Sequence, residues 1–204
     1  TKTAFDSLQA KYAGRLMNHS ADSLFRHRIE LIPNCGHSID YSLTTPWLKN
    51  YKRNPYPHTF LWEDYPMDGQ HRLGFYNLHV LQRPKAADGL KDTSGEDRDY
   101  YEMDIKDNVI RLSVKKVTYQ TVERDPVYGI DLKFAKSYHP TSGGKWKIYL
   151  NNQLVDMNRP VTVFINDRKV FEGKIVPRME DMITSCMEYF DPCRVFPASV
   201  DVAL

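Results

Sequence analysis

Long apolar runs are missing from this chain. No stretch of its 204 residues comes near the ~18–20 apolar residues of a membrane span, so no segment reads as a transmembrane helix. Excess charge is missing too. Lys and Arg number 28 against 26 Asp and Glu, a net +2, and the signs are mixed along the chain. A nucleic-acid or membrane-surface partner calls for a basic block, and none is present. Cysteine is scarce: Cys35, Cys186 and Cys193 do not make a disulfide framework. The usual metal spacings are absent, with no Cys-x-x-Cys, His-x-x-x-His or aspartate-rich calcium loop. His71 and His79 share parity on one expected strand but stand too far apart for one ion. No glycine loop opens a helix to cradle phosphate, because Ser142-Gly143-Gly144 precedes a strand. Neither cofactor nor metal is expected. There is no signal-peptide pattern, and the start at Thr1 rather than Met leads us to expect a preceding segment.

What is present is organised around Arg28 to Asn54. Ile29, Leu31 and Ile32 suit a strand that stops at Pro33-Asn34. A tight turn follows, Cys35-Gly36-His37-Ser38. Then Thr44 or Thr45 suits an N-cap, Pro46 the first helical position, and Trp47, Leu48 and Tyr51 an apolar face. Upstream, Phe5, Leu8, Tyr12 and Leu16 have helical spacing over 4–17. The expected elements of residues 1–54 are thus helix 4–17, strand 27–32, the His37 turn and helix 45–52, a small α/β unit.

Asn54-Pro55-Tyr56-Pro57 cannot be helical and marks the domain boundary. From residue 55 on, short strands alternate with turns. Strands are expected at 58–63, 72–81, 100–105, 109–114, 117–122, 128–135, 146–150, 161–165, about 170–171 and 199–203. Asp107-Asn108 and Asn166-Asp167 supply turn signals, and loops are expected at 84–98 and 139–144. This rhythm predicts a mainly β fold, an antiparallel β-sandwich of the fibronectin or immunoglobulin type. One helix interrupts it near 178–190. Met179, Met182, Ile183, Cys186, Met187 and Phe190 form its apolar stripe; core packing with Cys186 buried is expected, with an adaptable binding surface marked by the three methionines as the alternative.

His37 is the candidate catalytic residue. It follows a strand and a flexible glycine in a polar turn, which suits a general base reaching a serine elsewhere. Gly36-His37-Ser38-Ile39-Asp40 falls one residue short of the Gly-x-Ser-x-Gly elbow, since Asp40 takes the last small position. Ser38 is therefore the weaker candidate. A loop histidine bonded to local backbone is the plain alternative for His37.

The succession of pieces resembles the C-terminal part of a family of bacterial α/β-hydrolases, common among secreted or envelope proteins of Bacteroidetes. The pieces are Gly36-His37, Pro46-Trp47, Arg53-Asn54-Pro55-Tyr56-Pro57, Trp62, and Arg72 with Phe75 to Leu78. They continue with Leu154-Val155-Asp156, Pro160 to Val163, Pro177-Arg178, Asp191-Pro192 and Phe196-Pro197-Ala198. The resemblance implies that His37 is the triad histidine of an esterase-like enzyme. It places the serine elbow, oxyanion loop and triad acid upstream of Thr1. Gly-His-Ser-Ile stands where the family has Gly-His-Trp-Met, so the groove wall beside the histidine differs. It further implies a periplasmic or extracellular location and a chain inactive by itself. Self-association, or docking to the upstream hydrolase segment, is expected through residues 1–52. The alternative is a non-catalytic module, for carbohydrate, using exposed Trp62, Tyr76 and Trp146.

Overall fold

The computed structural model describes residues 40–66, 69–87, 89 and 98–204. The chain divides into two units, Thr1–Lys52 and Arg53–Leu204. Helix 4–17, strand 27–32, Cys35, His37 and Ser38 lie outside the described residues, as does most of the expected 84–98 loop. In the first unit the described part is Asp40–Lys52, with α1 at Thr44–Leu48. It is shorter than the helix expected over 45–52. Leu43 takes the N-cap without a side-chain bond, so neither threonine caps and Pro46 sits inside the first turn. Asp40 Oδ1 instead accepts from the Ser42 amide just before the helix, at 2.8 Å. The Trp47 and Tyr51 rings lie 4.8 Å apart.

The second unit is mainly β: among its described residues, two sheets pack face to face with a single α-helix late in the chain. Its strands are β1 (Thr59–Asp64), β2 (Gly74–Phe75), β3 (Leu78–Gln82), β4 (Lys85–Ala86), β5 (Arg98–Lys106) and β6 (Val109–Arg124). After them come β7 (Asp131–Ser142), β8 (Lys145–Leu150), β9 (Val161–Ile165), β10 (Arg168–Gly173) and β11 (Ala198–Ala203). The larger sheet runs β1-β5-β6-β7-β4, with β9 and β10 joined through β6; the smaller runs β11-β8-β3-β2.

Period-2 alternation explains the core. Tyr101, Met103 and Ile105 on β5 and Ile110, Leu112 and Val114 on β6 point inward from the larger sheet. Leu78, Val80, Trp146, Ile148, Leu150, Val200 and Val202 meet them from the smaller one. Gly144 lets the chain turn into β8: at φ 102° a Cβ there would stand 2.4 Å from the Trp146 ring.

Several expectations shift. The stretches 109–114 and 117–122 form one strand, because Lys115 and Lys116 do not break it. Lys115 faces outward over the Tyr138 ring, and Lys116 faces inward onto Asp99, Nζ to Oδ1 2.7 Å. The stretch 72–81 folds back on itself, turning at Tyr76 with φ 51°. His139–Ser142 belongs to β7 rather than a loop. The pairing is also not wholly antiparallel, since β9 runs parallel to β6 over Val109–Leu112. Along the same edge β6 then pairs with β7 from Lys115 onward. The Asn166 side chain bridges that change of neighbour, accepting from the Val114 amide at 2.7 Å and donating to the Val114 carbonyl at 3.1 Å. Asn166-Asp167 and Asp107-Asn108 are turns with positive φ at both residues, the backbone that the right-handed twist of a tight hairpin favours.

Candidate functional site

The strongest candidate surface is built around α2 (Met179–Tyr189). This helix packs on the outer face of the smaller sheet. That face is polar because the alternation that points Trp146, Ile148 and Leu150 inward points Lys147 and Tyr149 outward. His79 on β3 and Asp201 on β11 lie directly beside Lys147, and Ser199 beside Tyr149.

A helix covering such a face must supply partners, so α2 turns Asp181, Ser185 and Glu188 toward it. Asp181 Oδ1 accepts from the Ser199 hydroxyl at 2.7 Å, and Asp181 Oδ2 from Arg178 Nε at 2.9 Å. The Ser185 hydroxyl donates to the Asp181 carbonyl at 2.7 Å and accepts from the Phe196 amide at 2.9 Å. Glu188 Oε1 meets His79 Nδ1, while Glu188 Oε2 accepts from the Tyr149 hydroxyl at 3.0 Å. Burial, then the neighbouring Glu188 charge, pushes the Tyr149 phenol well above its usual range. The hydrogen bond to Asp181 holds Arg178 above its usual value. Gly74 is required close by, since a Cβ would stand 2.8 Å from the Leu78 carbonyl and 3.2 Å from Glu188 Oε1.

With the polar side inward, the apolar stripe faces solvent. Met179 is 70% exposed, Ile183 52%, Met187 65% and Phe190 89%; Met182 and Cys186 are exposed with them. This corrects the expectation that the stripe packs in the core and that Cys186 is buried. Periodicity marks two faces of a helix but not which one docks, and here the hydrogen-bonding demand of the sheet decides. Phe190 ends the helix at φ 47°, and Asp191 receives the Cys193 amide at 3.0 Å in the following 3₁₀ turn.

A second polar cluster lies inside the sandwich where β1, β5 and β6 lie side by side. Asp64, Asp99 and Lys116 are neighbours in register. Arg83 bridges the carboxylates at 2.6 Å each, His71 Nδ1 lies 2.8 Å from Asp64, and the Tyr101 hydroxyl donates to Asp99 at 3.0 Å. Burial pushes the Asp99 carboxyl above the usual carboxylate range, against the pull of Arg83 and Lys116. Asp64 and Asp99 stand against Arg83 and Lys116, an arrangement of opposite charges that suits a buried structural network.

Neither His71 nor His79 bonds a serine or cysteine among the described residues, so neither of these two clusters assembles the nucleophile–base–acid geometry of acyl transfer; His139 Nε2 lies 2.9 Å from the Thr118 hydroxyl. His37 and Ser38 lie outside the described residues. Also among the described residues, no group of three His, Cys, Asp or Glu side chains is placed to hold a metal, and no helix is long and apolar enough to cross a membrane. Trp62 and Trp146 are core residues and Tyr76 is half-buried against Phe60 and Phe75, which removes the aromatic platform expected for a sugar. No protein-family model, no curated protein and no solved structure matches this chain.

Proposed function

We propose that the chain is the C-terminal segment of an α/β-hydrolase acting on esters or related acyl compounds. Residues 53–204 are its non-catalytic β-sandwich, working through surfaces rather than a cleft. His37 is assigned as the triad histidine, and the chain alone does not turn substrate over, because a histidine without nucleophile or oxyanion donors has little left to do. The location this reading carries is periplasmic or extracellular.

One observation carries it. Two of the pieces behind the resemblance, Arg53 to Pro57 and Asp191 to Phe196, come together in space. Arg53 pairs with Asp191, and the Tyr56 ring meets Phe196 edge-on at 5.6 Å. The pieces are thus structurally coupled, as expected of one inherited unit.

The test uses aryl esters. The 204-residue chain gives no turnover. The product of the native gene extends well upstream of Thr1, hydrolyses aryl esters, and loses that activity with His37→Ala. Turnover by the chain alone that Ser38→Ala abolishes would overturn the reading, as would native activity indifferent to His37→Ala.

A further inference from the structure

The exposed stripe of α2 has a symmetry of its own. Met179, Met182, Ile183, Cys186, Met187 and Phe190 are spaced three, one, three, one and three apart, the same read in either direction. Two copies of such a helix, laid antiparallel about a two-fold axis, match position for position. Met179 meets the partner's Phe190, Met182 the partner's Met187, and Ile183 the partner's Cys186. Large side chains then face flexible or small ones, and every contact is made twice, as an isologous interface requires. We infer that α2 is the contact through which the chain forms a two-fold symmetric homodimer.

Electrostatics favours the antiparallel arrangement. The amino-terminal turn of α2 carries partial positive charge and the carboxy-terminal turn partial negative charge, so antiparallel pairing sets opposite ends together. Glu180 is exposed in the first turn, and at the other end Asp191 holds the guanidinium of Arg53. Pairing brings each Glu180 to the end of the partner helix where Arg53 and Asp191 form a neutral pair rather than a bare carboxylate. The stripe itself holds no charge, so no charged side chain is desolvated on docking. Methionines adapt to the facing surface. An 11-residue helix is only about 16 Å long, so the contact falls at the small end of protein interfaces and the dimer is a weak, reversible one. The inference does not depend on the hydrolase reading.

The test is sedimentation of the full 204-residue chain over a range of concentrations in reductant. The expected result is a monomer–dimer equilibrium that Ile183→Glu weakens by about 30-fold or more, the size of one interface hot spot. Met187→Lys acts the same way, and Cys186→Ser leaves the equilibrium in place. Circular dichroism confirms that each variant folds, as expected for exposed positions. With Cys35 and Cys193 replaced by serine, Cys186 should crosslink to itself with a reagent spanning about 8–10 Å, the usual separation of packed helices. A monomer at every concentration would overturn the inference. So would a dimer indifferent to Ile183→Glu, which would move the contact elsewhere, to residues 1–52 as the sequence suggests. Failure of either kind leaves the aryl-ester test untouched.

Discussion

The smaller sheet has two faces, and they are covered in opposite ways. Against the larger sheet it presents Trp146, Ile148, Leu150 and Val202 to an apolar interior. Against α2 it presents Tyr149, His79 and Ser199, which meet Glu188 and Asp181 in a layer of hydrogen bonds and ion pairs beside the Tyr189 ring. The same strands feed both, one residue apart. The difference shows that what a helix buries is set by the surface it lands on. An amphipathic helix over a polar face turns its polar stripe in, and its apolar stripe becomes available for another surface.

The comparison can be broken on the apolar side first. Ile148→Ala removes a fully buried side chain between the sheets and should cost about 3 kcal/mol, read as a lower denaturation midpoint with unchanged slope. On the polar side, Glu188→Leu leaves the Tyr149 hydroxyl and His79 Nδ1 without their partner. The expected loss is about 2 kcal/mol by the same measurement. An outcome equal to or above the Ile148→Ala loss would mean that the polar layer holds the unit together more than the core does.

A smaller, pH-dependent effect belongs to the outer face of the larger sheet. There Glu63 accepts from Lys136 and from the Tyr119 hydroxyl. Burial opposes its ionisation, but Lys136 and Tyr119 outweigh burial and hold the carboxyl below its ordinary value of 4.5. Its folded pKa is depressed, so its contribution to stability is present above that value and is lost as the pH falls through the lower folded one. Glu63→Gln should therefore cost about 1 kcal/mol at neutral pH, with the gap to wild type closing in acid. A gap that widens in acid would contradict the sign.

The smallest stability effect is expected on the exposed apolar stripe of α2. At concentrations where the chain is monomeric, Ile183→Ser and Met187→Gln should change stability by no more than about 0.5 kcal/mol, since they bury little. That near-zero result sharpens the contrast with Glu188, a turn away on the same helix.

Much of the sandwich was legible in the residues. Alternation on β5, β8 and β9 marked the strands, and Asp107-Asn108 and Asn166-Asp167 marked their turns. The existence and length of α2 were legible too, but not its orientation. That required seeing that Tyr149 and Ser199 share an outward parity and that the Phe196 amide lies beside them, polar groups that Glu188, Asp181 and Ser185 meet at helical spacing. The single strand over Val109–Arg124 was hidden because Lys115 and Lys116 look like a break until Asp99 is placed beside Lys116. The Asn166 bridge was hidden because a side chain standing in for backbone leaves no local pattern. For the catalytic assignment, the sequence pattern remains the ground, since His37 lies outside the described residues.

The orientation of α2 is tested most directly by Cys186. With Cys35 and Cys193 replaced by serine, and at sub-micromolar concentration so that the chain is monomeric, a thiol reagent should modify native Cys186 at nearly the rate seen in denaturant. Strong protection of native Cys186 under those conditions would show that the apolar stripe faces inward, and would contradict the account.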